Sequence, residues 1–480
     1  MKNTKNLNVR IILIFICILL CALCALPLIS CDKEQTEKGT SYEIWLDIGE
    51  DAIDCTQRVN FVNSSEYILD ELIFNVYAGA YSQTSPLPCT PQEEADAYPN
   101  GVSFGKFEFK GAYGDFQSCL YDALSNLITV DLSSPLLPSQ EIAVDFVYSI
   151  TPPNTNLRYG FNDVCLSLTG FYPQLCALVE GEWFFREFSP IGDPYFSDTA
   201  DYEVTFNLPD GCDYVASGLS QVSSVDDETF VTSKANNIRD FALIISPVLS
   251  RTETEYKGVE ISYLGSDTQV IEYAKRAIDV FSERFGEYAY DSLALASVPF
   301  VAGGMEYGAL CVVNEQLDAI DIESVTAHEI AHQWWYGAVG SNNLTDAWQD
   351  EGLAEYSTYL YFYDTDRREL AQTILDSAYN QYSRFVELGQ KVGEPVKGML
   401  AGELSSFASN YHYTNLTYNK AFIMWDAAKM IMGEEALKSA LKHYYKLNRF
   451  AIASTNDLYA SLDNAKNGSS ALLKNWILSC

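Results

Sequence analysis

Two kinds of hydrophobic spacing divide this chain. From about residue 41 to residue 250, short runs rich in β-branched and aromatic residues recur, at 45–48, 72–77, 142–147 and 202–206. Runs of that composition predict strands. Turn clusters such as Pro209-Asp210-Gly211 separate them, and residues 83–100 and 152–156 predict loops. After Arg251 the period changes. Residues 259–264 and 293–298 predict strands, whereas Ile271, Ala274, Ile278, Phe281 and Phe285 mark one face of a helix over 268–285. Gly303-Gly304 punctuates the chain before a short strand at 310–313.

Helical spacing then dominates, over 321–339, 350–363, 367–388, 419–432 and 434–446. Ser454-Thr455 caps a further helix that starts near Asn456 with Asp457 in its first turn, and an apolar helix closes at 476–478. The pattern predicts an α+β multidomain chain. An all-β domain over 41–250, a saddle or sandwich, precedes a mostly helical domain with a small mixed sheet over 251–480.

Composition adds limits rather than architecture. At 480 residues the chain has length for two or three domains, and 48% hydrophobic content is that of a globular protein. The net charge of −35 excludes nucleic acid as a partner, because a phosphate backbone needs a positive footprint. Residues 1–30 stand apart from the fold. Lys2, Lys5 and Arg10 precede an apolar run from Ile11 to Leu26, the layout of an export signal. Leu28-Ile29-Ser30-Cys31 resembles a bacterial lipobox, whose cysteine becomes the lipidated first residue. An uncleaved membrane anchor is the competing expectation. Either places the protein outside the cytoplasmic membrane and attached to it, with residues 31–40 as a tether. Of twelve cysteines, eight follow Cys31, and spacing assigns them no pairs. Most are expected to be small buried hydrophobes.

The chemistry sits in one helix. His328-Glu329-Ile330-Ala331-His332 places two imidazoles at i and i+4, on one helical face and able to reach one ion. Half of the chain's four histidines lie here. Glu351, in Asp350-Glu351-Gly352-Leu353-Ala354-Glu355, supplies a third ligand from the next helix. Three protein ligands with an open position describe a hydrolytic zinc site, one ion per chain. Glu329 stands where it would take the proton of a water. Glu355, one turn beyond Glu351, is a candidate to orient a histidine from behind.

The surrounding residues resemble the aminopeptidase N family, zinc enzymes with a thermolysin-like catalytic domain. Gly303-Gly304-Met305-Glu306 is similar to that family's exopeptidase motif. Trp348-Gln349-Asp350-Glu351-Gly352 surrounds the third ligand, and Tyr418-Asn419-Lys420 looks like the segment with its catalytic tyrosine. Softer matches are Asn63 with Leu72-Ile73-Phe74, Phe171-Tyr172-Pro173, Asp193-Pro194 and Arg239-Asp240-Phe241-Ala242. The resemblance implies that Glu306 binds a substrate's α-amine, that Gly303 and Gly304 expose backbone to a substrate strand, and that Met305 belongs to the same substrate-binding set. It also implies that Tyr418 stabilises the oxyanion, with Tyr413 as a second candidate. His412, His443, Trp334 and Trp335 are expected to be bystanders or packing residues. Tyr307 departs from the asparagine common in the family. Many members also continue into a helical domain over the site, so a more open site, or one closed by the β-domain or by a partner, is expected here.

The resulting expectation is a zinc aminopeptidase acting on peptides with a free N-terminus, held outside the cell by a lipid on Cys31. A thermolysin-like endopeptidase and a non-catalytic peptide-binding lipoprotein are the alternatives.

Overall fold

The structure, a computed structural model, describes residues 39–392 and 399–478. The expected leader, Cys31, most of the tether and Cys480 lie outside the described residues. Seven strands form the first sheet: β1 (Ser41–Ile48), β2 (Ile53–Val62), β3 (Lys106–Gly114), β4 (Glu141–Thr151), β5 (Ala200–Leu208), β6 (Leu219–Val225) and β7 (Glu228–Ile238). Their order is β6-β7-β5-β1-β2-β4-β3. β1 runs parallel to β5, with Ser41 opposite Asp201, and the remaining pairs are antiparallel. Alternation writes this sheet. β2 buries every second side chain from Ile53 to Phe61, and β4 does so from Val144 to Ile150.

A four-stranded sheet, ordered 174–175, 69–75, 127–136 and 116–122, packs on the inner face, with Phe74 edge-on to Phe146 at 5.0 Å. The strand expected over 72–77 ends at Asn75, and Tyr77–Tyr81 continues as a buried turn of 3₁₀ helix. The loop expected at 83–100 contains one helical turn, Glu94–Ala97.

The second half builds its own sheet from β8 (Arg251–Tyr256), β9 (Val259–Leu264), β10 (Ser292–Val298), β11 (Gly304–Tyr307) and β12 (Leu310–Asn314). The order is β8-β9-β10-β12-β11, parallel from β9 through β12 and antiparallel at the β11 edge. β10 is buried at every residue, as a parallel strand covered on both faces must be. Helix α1 (Gln269–Phe285) connects β9 to β10 and packs on this sheet through Ile271, Ala274, Ile278 and Phe281. Ala242 and Ile244 of the β-rich half join a core with Ala294, Ala296, Val298, Met305 and Val312. That shared core fixes β11 against the first half.

The remaining helices are α2 (Ala319–Ala331), α3 (Trp348–Asp364), α4 (Arg368–Val392), α5 (Ala421–Met432), α6 (Glu434–Asn448), α7 (Thr455–Ala465) and α8 (Ser470–Leu478). Ser454 and Asp457 form a reciprocal capping box at α7. The helix expected over 321–339 is shorter, because α2 ends at Ala331. Beyond it the amides of Gly337, Ala338 and Val339 bond back to His332, Gln333 and Trp334, and Val339–Gly340 pairs with Ala451–Ile452. The reason is tertiary. Arg239, 2% exposed, donates to the carbonyls of Tyr336 and Ala451, which a continued helix would carry away. Periodicity in sequence does not contain that competitor.

The two indoles after the histidine motif are packing residues. Trp334 meets Phe281 and Tyr288 and donates to the Gly286 carbonyl at 2.9 Å. Trp335 packs on Phe285, Tyr444 and Tyr445. Trp334→Ala should lower unfolding free energy by about 3–5 kcal/mol, measured by urea denaturation with and without chelator. A loss below 1 kcal/mol would show that α1 and α2 do not depend on this contact.

Candidate active site

Helix α2 delivers His328 and Glu329, and His332 follows at its C-cap with φ −63° and ψ −17°, still right-handed helical. The i, i+4 relation therefore survives the early end of the helix. Glu351 comes from the first turn of α3. The three ligand atoms converge. His328 Nε2 lies 3.1 Å from His332 Nε2 and 3.3 Å from Glu351 Oε2, and His332 Nε2 lies 3.4 Å from that same oxygen. Donors held at about 2.0–2.2 Å on a tetrahedral zinc stand roughly 3.3–3.6 Å apart. The triangle thus has the size that a zinc ion requires, and its N,N,O donor set is one zinc accepts.

Each imidazole is oriented from behind. His332 Nδ1 donates to the Trp335 carbonyl at 3.0 Å, and His328 Nδ1 faces Glu355 Oε1 at 3.2 Å. Both contacts place the proton on Nδ1 and leave Nε2 free to bind a cation. Glu355 thereby has the position anticipated for it.

The enclosure is acidic and buried. Asp193, Glu306, Glu329, Asp350 and Glu351 are all buried. Burial pushes the Glu329 carboxyl up to about 7, against the pull of His328 and His332. Burial raises Glu306 and Asp350 as well. Glu351 is the exception: burial works against its charge, but hydrogen bonds from His328 and His332 hold it well below the usual carboxylate range. Burial would lower both histidines, yet the carboxylates around them lift His328 to about 10 and His332 well above its ordinary value. The site therefore holds positive charge strongly, and a dication satisfies the same carboxylates while displacing those protons.

Two carboxylate oxygens, Glu306 Oε1 and Glu329 Oε2, are buried without a hydrogen-bond partner among the described residues. Buried polar atoms are rarely left so, and such atoms here mark room for a polar ligand. Glu306 lies on β11, the edge strand. Gly304, two residues earlier on the same face, has a clear reason to be glycine: a Cβ there would stand 2.5 Å from Glu329 Oε1 and 2.7 Å from Val325 Cγ1. Gly303 is less constrained, with Val325 at 3.3 Å. Met305 was expected among the substrate-binding residues, but strand alternation turns its side chain into the shared core. Only its backbone stays at the edge.

Tyr418 comes from one turn of π-helix, Asn415–Lys420, that precedes α5. A π-turn inside a helix re-aims side chains and often does so at a site. The phenol donates to Glu351 Oε1 at 2.5 Å, and the ring stacks on His328 at 5.8 Å and 10°. Tyr413 meets Tyr418 edge-on at 5.9 Å, its hydroxyl buried and unpartnered among the described residues. His412 packs between Phe385 and Phe407, outside the ligand triangle.

Sequence spacing missed the ion pair between half-buried Arg158 and buried Asp193, which the β-rich half places beside this enclosure. Asp193-Pro194 was legible only as part of a resemblance. The seven cysteines among the described residues are free, five of them buried.

Residues 269–476 match the Peptidase family M1 domain. The matched segment runs from the start of α1 into α8. Its relatives include endoplasmic reticulum aminopeptidase 2 of Bos taurus, 25% identical over 251 residues that cover 46% of this chain and 25% of that protein. Aminopeptidase N of Lactobacillus helveticus is 28% identical over 213 residues, covering 41% and 24%. The chain thus spans about a quarter of the length of these curated relatives. An M1 zinc metallopeptidase from Deinococcus radiodurans has the same fold over 92% of this chain and 94% of its own, with a TM-score of 0.65 at 16% identity. The matched segment contains all three donors of the triangle together with Glu306, Glu329 and Tyr418, and zinc is the ion this donor set takes.

Glu355→Gln should weaken zinc binding about tenfold or more without displacing a ligand, measured by competition with a chromogenic chelator. An unchanged dissociation constant would reduce Glu355 to a surface carboxylate.

Proposed function

We propose that this M1 domain is a zinc-dependent aminopeptidase that releases the N-terminal residue of peptides. The observation that carries this reading is Glu306: a buried carboxylate with an unpartnered oxygen, sharing one enclosure with the His328–His332–Glu351 triangle. A carboxylate needs a cationic partner in such a place, and a peptide's α-ammonium is one that only an exopeptidase must recognise. The relatives carry aminopeptidase names, which accords with this choice.

When bound by His328, His332 and Glu351, zinc supplies Lewis-acid polarisation and makes water a nucleophile near neutral pH. The chain's residues do the rest. Glu306 holds the α-ammonium and so fixes which peptide bond is presented. The open edge of β11 offers backbone groups to the first residues of the substrate. Glu329, lifted by burial to about 7, accepts a proton from water and returns it to the departing amine. Tyr418 donates its phenolic hydrogen to the carbonyl oxygen as charge develops there.

A panel of aminoacyl fluorogenic amides with free and acetylated amines tests the reading. Activity should require the free amine and be abolished by chelation. Glu329→Gln should cut kcat by about 10²–10⁴. Glu306→Ala should raise KM by about 10–100-fold, the worth of one charge-assisted hydrogen bond. Equal turnover of acetylated and free substrates would instead establish an endopeptidase.

The protein's address belongs to the same proposal. The basic start, the apolar run and Leu28-Ile29-Ser30-Cys31 support export and lipidation at Cys31, which tethers the enzyme outside the cytoplasmic membrane. Wild-type protein should then incorporate labelled palmitate and sediment with membranes, and Cys31→Ala should do neither. Label retained by that variant overturns the anchor.

A further inference from the structure

The β-rich half reaches the active site through one carboxylate. Asp240 follows β7 and is 4% exposed. One of its oxygens accepts the Gly308 amide at 2.6 Å, and the other accepts the Tyr336 hydroxyl, also at 2.6 Å. These donors belong to two different parts of the site. Gly308 is the turn between β11, with Glu306, and β12. Tyr336 lies in the turn that follows His332.

Both turns are set with little slack. A Cβ on Gly308 would stand 2.6 Å from Ile238 Cβ and 2.7 Å from the Asp240 carbonyl, so the hairpin lies directly against the last residue of β7 and the Asp240 backbone. Tyr336 has φ +131°, a conformation that an L-residue holds only when its surroundings impose it. Arg239 binds its carbonyl at 2.5 Å while Asp240 binds its hydroxyl. The residue before it, Trp335, supplies the carbonyl that orients His332 Nδ1. Gln333 completes the frame, accepting from the Ala309 amide and donating to the Tyr307 carbonyl, both at 2.9 Å.

We propose that Asp240 is a positioning residue of this active site: it ties the turn behind Glu306 to the turn behind His332, and so fixes both the set of the His332 ring and the distance from the amine-binding carboxylate to the metal. The inference rests on the aminopeptidase reading for Glu306 and on the donor triangle alone for His332. It also explains why the Arg239-Asp240 pair lies at this junction, where two buried charged groups would otherwise gain nothing over apolar packing.

The test uses full-length Asp240→Ala and Tyr336→Phe proteins, with three readouts: zinc dissociation constant by chelator competition, melting temperature of the chelated protein, and KM and kcat on a free-amine aminoacyl amide. Tyr336→Phe removes one hydrogen bond and should weaken zinc about tenfold while moving KM by less than threefold. Asp240→Ala should weaken zinc similarly and also raise KM by tenfold or more, because the Glu306 turn is released as well. A purely structural role predicts lower melting temperatures with zinc affinity and KM within twofold of wild type, and that result overturns the proposal. If Asp240→Ala fails to fold, the zinc affinity of Tyr336→Phe decides alone. Wild-type protein that binds zinc yet cleaves no aminoacyl amide would defeat the proposed function, and the zinc readout would still judge the His332 half of this inference.

Discussion

Lone pairs from two imidazoles and a carboxylate do not gather at 3.1–3.4 Å in a buried interior unaided. Their mutual repulsion is offset only by positive charge at their centre, and the surrounding structure is the apparatus that makes the gathering possible. Trp334 and Trp335 anchor the end of α2, Glu355 and the Trp335 carbonyl turn the rings, and Glu351 arrives on a separate helix. The same concentration of acidic groups explains the opposite behaviour of two glutamates that both adjoin the histidines. Glu351 has hydrogen-bond donors and stays ionised, whereas Glu329 has an oxygen with none and is driven towards neutrality. Environment, not residue type, separates ligand from base.

Much of this was legible in the chain. The ligand triangle follows from i, i+4 spacing and one later glutamate, because helical geometry converts those numbers into a shared face. Strands and helices were legible wherever one face is buried, as in β2 and α1, since burial imposes the period. The division into a β-rich half and a helical half was visible for the same reason.

What escaped was decided by contacts remote in sequence. Helix α2 stops at Ala331 because Arg239, from the other half, takes the carbonyl of Tyr336. Met305 faces the core because the edge strand's register with β12 sets the alternation. The π-turn that aims Tyr418 has no periodic signature, and the Arg158–Asp193 pair has no motif beyond a resemblance. For the end of α2 the deciding partner lies 97 residues away in the chain.

The edge position of β11 has a consequence for selectivity. A peptide lying along a sheet edge is gripped by its amides and carbonyls, which every residue but proline offers alike. Such a grip is blind to side chains and senses only chain direction and extension. In the proposed aminopeptidase, with Glu306 closing one end of that track, the site works as a gauge of where a chain begins. On that proposal, discrimination among first residues falls to the walls beside the track, and those walls could diverge without disturbing the gauge.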